Sequence, residues 1–258
     1  MRPSNGRIRL RVFDTYAEIF AERAQSYHAA MERLPNARAA EFRCVLEPLD
    51  DLAPGRLCDL PAGGGYLSHH LRPGLVYVGV EPASDFVALG SSSDTDIVKA
   101  ELVDVPLASH SFDYVVSIAK HHHEPDLELI VCEMRRLLRR DSRLMIADVT
   151  EATPPARFLN GFVARTNPMG HNGRFLDEGT RPLLESAGFG VLEDEVVATP
   201  WVFASDEESG RFAAQLFGAD IASLSEVTEA LASEIGLEAD GSGVRANWSL
   251  RRIVCSAL

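Results

Sequence analysis

Apolar positions follow two periods along this chain, and each switch between them marks the edge of an element. From Val12 to Leu49 they recur at helical spacing. Pro35 interrupts them, and Asn36-Ala-Arg-Ala-Ala-Glu41 opens a second helix. After Pro54-Gly55 the pattern changes: Arg56 to Leu60 reads as a strand, Pro61-Ala-Gly-Gly-Gly65 as a turn, and Tyr66 as a helix start. Strands are expected at Val76–Val80, Asp96–Ala100, Phe112–Ile118 and Arg143–Val149, with a helix from about Asp126 to Arg139. Strands alternating with helices imply a parallel sheet, because parallel neighbours need crossover connections.

Beyond residue 150 the pattern loosens. Pro154, Pro155 and Pro168 break up Thr150 to Asn172, a helix returns at about Asp177–Ala187 before Gly188, and strand signals follow at Val191–Val197. Ser205 to Glu238 is acidic and helical, with Phe212, Leu216, Phe217, Leu224, Val227 and Leu231 on one face. Gly241-Ser-Gly243 leads to a last strand near Ser249–Ser256. Two strands flanking a helical excursion would close the sheet with an antiparallel edge. The expected divisions are a helical lid over residues 1–50, a core over 51–204, a helical cap over 205–240, and the core's last strand over 241–258.

Composition narrows the partners. With 46% apolar and 24% charged residues the chain is ordinary globular material. Its formal charge of −13 argues against phosphate backbones and anionic lipid surfaces. Cys44, Cys58, Cys132 and Cys255 are scattered and form no CxxC pair, which suits buried thiols in a reducing compartment. No signal-peptide pattern or membrane-length apolar run is present, so a cytoplasmic location is expected. The expected partner is a small molecule, not nucleic acid or membrane, with a homodimer left open.

Candidate chemistry begins at Asp59-Leu-Pro-Ala-Gly-Gly-Gly65, a glycine turn between strand and helix, where α/β folds bind ligands. A dinucleotide fingerprint counted from Gly63 needs a third glycine where Ser68 stands, and no Walker Gly-Lys-Ser/Thr follows. Asp59 would repel a pyrophosphate and attract a cationic amine. Glu81, ending the second strand, stands where a carboxylate can accept both hydroxyls of a ribose.

These residues, with Glu101-Leu-Val-Asp-Val-Pro-Leu107 and Ser111-Phe-Asp-Tyr-Val-Val-Ser117, resemble class I S-adenosylmethionine-dependent methyltransferases. The subgroup most similar is methyltransferase type 11, which contains the ubiquinone/menaquinone C-methyltransferases. His122-His123, Pro125-Asp126 and Glu133 to Leu138 continue the likeness, which covers about residues 56–150. It implies a Rossmann-like, mostly parallel seven-stranded sheet with an antiparallel last strand and helices on both faces. It also implies S-adenosylmethionine as cofactor. Asp59 and the backbone of Ala62, Gly63 and Gly65 would hold its methionine portion, and Glu81 the ribose. Pro82 and Ala83 would border the adenine, Glu101 would accept from its amino group, and the Leu102 amide would meet a ring nitrogen. Ser117 and Ile118 would lie beside the sulfonium; Arg38 or Tyr27 is a candidate to close over the cofactor carboxylate. Two departures stand out: Pro61 replaces the family's first glycine, and Arg140-Asp-Ser142 replaces Pro-Gly-Gly after the fourth helix.

A general base helps methylation of an O–H or activated C–H, and histidine suits that role. His122, His123 and His171 are the candidates. Adjacent side chains diverge, so His121-His-His123 is not expected to bind a metal. Asp148 could cap the next turn or touch substrate; Trp201 and Phe203 are read as a hydrophobic seam before a substrate wall. The function expected is methyl transfer to O, N or C of a small metabolite. The alternatives are a cofactor-binding homologue without transfer activity and, less favoured, an NAD-linked oxidoreductase.

Overall fold

The computed structural model describes residues 16–90, 95–119, 127–171, 173–241 and 243–258. Two helices lead, α1 (Tyr16–Arg33) and α2 (Ala39–Leu46), separated at Pro35 as expected. The core follows in order: β1 (Gly55–Asp59), a 3-10 turn (Tyr66–His70), β2 (Leu75–Glu81), α3 (Ser84–Gly90), β3 (Ile97–Lys99), β4 (Phe112–Ile118), α4 (Leu127–Leu137) and β5 (Leu138–Asp148). Next come α5 (Pro154–Phe158), a π turn (Leu159–Val163), α6 (Ala164–Thr166), α7 (Thr180–Ser186), β6 (Phe189–Ala198) and β7 (Trp201–Phe203). The chain ends with α8 (Asp206–Phe217), α9 (Leu224–Ala230), a second π turn (Leu231–Ile235), β8 (Leu237–Ala239), β9 (Val244–Ala246) and β10 (Ser249–Ala257).

The seven-stranded sheet has the order β3-β2-β1-β4-β5-β10-β6. β10 is antiparallel to both β5 and β6, and the other pairs are parallel. This is the Rossmann-like, mostly parallel architecture expected. Alternation along the strands separates two cores. Leu57, Tyr114, Val116 and Met145 face one side with α2, α8 and α9, whereas Cys58, Val115, Leu144 and Ile146 face the other with α4 and α7.

Four local readings change. The helix expected to reach Arg139 stops at Leu137, because the amides of His110 and Ser111 bond the carbonyls of Arg136 and Leu137 and the chain passes straight into β5. Asp141 then takes a left-handed φ of 62°, which accommodates the substitution of the family's glycine by one of the few other residues at ease there. Residues 154–166, broken by proline on paper, are helical: Thr153 accepts the Ala156 amide, and Pro154 starts the helix rather than stopping it. Finally, β7, β9 and β8 form a separate three-stranded antiparallel sheet that three-residue strands give no periodicity to reveal. Gly241 (φ 83°) turns β8 into β9 rather than leading directly to the last strand.

Three cysteines are buried as expected; Cys132 on α4 is exposed. No helix among the described residues is long and apolar enough to cross a membrane.

Candidate functional site

The strand order reverses between β1 and β4, and the crevice beyond their carboxyl ends is where such sheets receive ligands. Asp59 ends β1 there, 4% exposed, and accepts a 3.0 Å hydrogen bond from the Tyr77 phenol. Burial and the Asp59 charge together raise the Tyr77 pKa, so the phenol stays a neutral donor. The turn that follows needs glycine: Gly63 and Gly65 have φ of 58° and 76°.

The turn spends most of its own donors. Ala62 N–H bonds the Val80 carbonyl at 2.8 Å, Gly63 N–H bonds Glu81 Oε2 at 2.6 Å, and Gly65 N–H bonds the Ala62 carbonyl at 3.1 Å. What the turn offers a ligand is therefore carbonyl oxygens and the Asp59 carboxylate, a set suited to an ammonium group rather than an anion. Pro61, which has no amide, lies in the wall of this crevice.

Glu81 ends β2 fully buried. Its Oε2 accepts the Gly63 amide and, at 3.3 Å, the Tyr16 phenol of α1, while Oε1 accepts the Ala83 amide at 2.8 Å. One carboxylate thus ties the glycine turn, the start of α3 and α1. Phe20 packs on Phe86 with ring centroids 4.9 Å apart, continuing the same contact along α1. Pro82 is buried next to Glu81. The Ala100 amide bonds the Glu81 carbonyl at 3.3 Å, which brings exposed Glu101 and buried Leu102 to the same sheet edge.

At the end of β4, Ile118 faces the crevice, and Ser117 faces the opposite core with its Oγ buried and without a hydrogen-bond partner among the described residues. Ala119 follows with a φ of 51°, a strained value for alanine of the kind that clusters at functional sites. His122 and His123 lie outside the described residues.

Two cavities meet at this edge. The smaller is walled by Asp59, Pro61, Ala62, Tyr66, Leu67 and Ile118; the larger lies among α1, the π turn at 159–163, α8 and the small sheet. They share Tyr27 and Arg38. Arg38 is buried and bonds Glu41, at 2.7 Å through Nε, and also the Tyr27 hydroxyl. Glu41, fully buried, receives Trp201 Nε1–H at 2.7 Å. Burial opposes the Arg38 charge, but Glu41 more than compensates and the guanidinium's pKa is raised.

His171 reaches the larger cavity from the loop after α6. Its Nδ1 donates to Asn160 Oδ1 at 2.9 Å, which leaves the basic lone pair on Nε2. Asn160 belongs to the π turn whose Leu159 and Val163 also line the cavity. Asp148 is buried and accepts the Val149 amide at 2.7 Å, as expected of a turn cap. Trp201 both packs in a seam, 4.5 Å from the stacked Trp248 ring, and faces the cavity. Arg23, Glu41 and Trp248 carry no sequence signal: a charge on an amphipathic helix reads as solvated until a second element covers it. Among the described residues no cluster of three potential metal ligands occurs.

Comparison with known proteins gives the same picture. Residues 58–146 match the family model for a methyltransferase domain. No curated protein matches the sequence. Among solved structures, a S-adenosylmethionine-dependent methyltransferase of Thermotoga maritima, a possible histamine N-methyltransferase, is similar at 17% identity and TM-score 0.64, over 94% of this chain and 99% of its own. The cyclase SpnF is similar at 15% identity and TM-score 0.65, over 96% and 98%. Geranyl diphosphate C-methyltransferase of Streptomyces coelicolor, solved with S-adenosyl-L-homocysteine, is similar at 12% and TM-score 0.58, over 90% and 84%. The crevice presents acceptors to a cationic amino acid with a carboxylate beside it, and these groups lie within residues 58–146, the stretch that matches a methyltransferase domain.

Proposed function

We propose that the enzyme methylates an O, N or C atom of a small molecule held in the larger cavity, and that it sits within class I near the type 11 subgroup. The observation that carries this reading is the junction of the two cavities at Tyr27 and Arg38, just past the ends of β1 and β4. Bound S-adenosylmethionine supplies a methyl group already activated on a sulfonium, so the protein need only align the acceptor and remove one proton.

Asp59 and the turn carbonyls would hold the cofactor's ammonium, with Ala62, Gly63 and Gly65 shaping its seat. Glu81 would take the ribose hydroxyls, displacing the Tyr16 phenol. Pro82, Glu101 and Leu102 would border the base, and Ile118 would flank the reacting centre, with only the backbone of Ser117 beside it. His171 Nε2 would accept the acceptor's proton while Asn160 holds the ring; His122 or His123 is proposed for the same office from the β4 end.

Transfer of a labelled methyl group from S-adenosylmethionine to a metabolite extract tests the reading, together with calorimetry against S-adenosylmethionine, S-adenosylhomocysteine and NAD. We expect both adenosyl compounds to bind, NAD to fail, and a small-molecule fraction to become labelled. Cofactor binding with no labelled fraction would favour a homologue that keeps the pocket without transfer, a reading suited to Pro61 and the engaged turn amides.

A further inference from the structure

The walls of the larger cavity are unlike the rest of this acidic protein. Apolar and aromatic side chains predominate, Phe20, Trp201, Phe217 and Trp248 among them. Of its charged walls, Arg38 is matched by Glu41. Arg23 is left over. No carboxylate among the described residues forms an ion pair with it, and its one protein hydrogen bond runs from Nη2 to the Leu216 carbonyl at the end of α8. Nε is inaccessible to solvent without a partner, although the residue as a whole is only partly covered.

The guanidinium is held in place from behind. A Cβ on Gly218 would come within 2.8 Å of Arg23 Nε, so the glycine that ends α8 gives the plane its seat. The ring of Phe20 lies 5.9 Å away on the same helix. Burial pulls the Arg23 pKa down to about 10, with Asp220 opposing from a distance, as expected of a charge lacking a close counterion. A helix end needs no more than an exposed cation to satisfy its carbonyls. Here the cation instead forms part of a ring-lined cavity.

We propose that Arg23 is an anion-recognition residue of the acceptor pocket and that the acceptor is an aromatic acid, its ring among the cavity's aromatic walls and its carboxylate on the guanidinium. This rests on the assignment of the larger cavity to the acceptor. A carboxylate supplies the planar pair of oxygens that an arginine fork binds, and the site excludes enough water to strengthen the contact. The corresponding amide places a neutral group against a charge that has no carboxylate in contact with it among the described residues. Selectivity for the acid follows without any change in the ring's own contacts.

The test is a binding measurement that needs no methyl transfer. Benzoate, 4-hydroxybenzoate and indole-3-acetate, each beside its carboxamide, are titrated calorimetrically into the full chain saturated with S-adenosylhomocysteine. At least one acid should bind about tenfold or more tightly than its amide, the scale of a charge-assisted hydrogen bond. Arg23→Met should erase that preference and Arg23→Lys should keep part of it, with circular dichroism showing both folded. Equal binding of acid and amide, no binding of any acid at millimolar concentration, or a preference unchanged in Arg23→Met overturns the proposal. If Arg23→Met does not fold, Arg23→Lys decides: undiminished selectivity counts against a forked contact. Failure of S-adenosylhomocysteine itself to bind would instead sink the underlying reading, and that is seen before any acid is added.

Discussion

At the scale of single residues, Glu81 concentrates the consequences. Its carboxylate is buried and accepts two backbone amides and a phenol, so it is anchored before any ligand arrives. Glu81→Ala should weaken S-adenosylhomocysteine binding by about ten- to hundredfold in calorimetry, from lost charge-assisted hydrogen bonds. Retained affinity would remove the ribose assignment. Tyr16 tests the same point from the other side. If its phenol occupies an acceptor position that ribose must take, Tyr16→Phe should tighten cofactor binding by about two- to tenfold, the worth of one neutral hydrogen bond. The sequence pointed to Glu81 because a strand end and a glycine turn fall at a telling spacing. Tyr16 could not be found that way, since only the packing of α1 on α3 brings it 65 positions along the chain to its partner.

Among elements, the turn after β1 is the most constrained. Gly65 has a φ of 76°, and a Cβ there would lie 2.9 Å from Thr95 Cγ2. Gly65→Ala should lower stability by about 1–2 kcal/mol from the left-handed backbone alone, read as a reduced urea midpoint with unchanged slope. Farther along the chain, α9 opens with a reciprocal capping box in which Ser223 accepts the Glu226 amide and Glu226 accepts the Ser223 amide. Ser223→Ala should cost about 1 kcal/mol by the same measurement. Strands β2 and β4 were legible because buried strands leave long apolar runs between turn residues. Two parts of the fold were not. Proline-led α5 looks broken unless Thr153 is recognised as its cap, and β7 to β9 are too short to carry a period.

On the scale of the whole molecule, the described acids are partly organised into ion pairs, some within one element and some between strands far apart in sequence. Glu133 on α4 is held below the usual carboxylate range by hydrogen bonds from Arg136, and Asp194 on β6 likewise by Arg251, at 2.7 and 2.8 Å. Both folded values lie below the unfolded ones, near 4.3 for Glu and 3.9 for Asp. Their contribution is therefore full above those unfolded values and is lost as pH falls through the depressed folded values. Urea midpoints should be flat from pH 7 to about 5 and drop steadily below about 4. A midpoint that stayed level to pH 3 would contradict this. The Arg38–Glu41–Trp201 network is another long-range tie. Trp201→Phe would strip a donor from a buried carboxylate and should cost about 1–3 kcal/mol.

The order of strands and helices, the glycine turn, and the carboxylates ending β1 and β2 were fixed by local sequence. Period, turn chemistry and spacing are properties of neighbouring residues, and they act before the chain is compact. Which groups face one another across the cavity was settled only by tertiary structure. Arg23, Arg38, Glu41, His171, Trp201 and Trp248 come from separate elements, and whether a charge on a helix is solvated or buried depends on what packs against it. The same holds for the backbone of Ala62, Gly63 and Gly65, expected to hold the cofactor's methionine portion, whose amides in the fold are occupied by Val80, Glu81 and Ala62. A backbone group's partner is decided by the register of a neighbouring strand, and that register exists only once the sheet has formed.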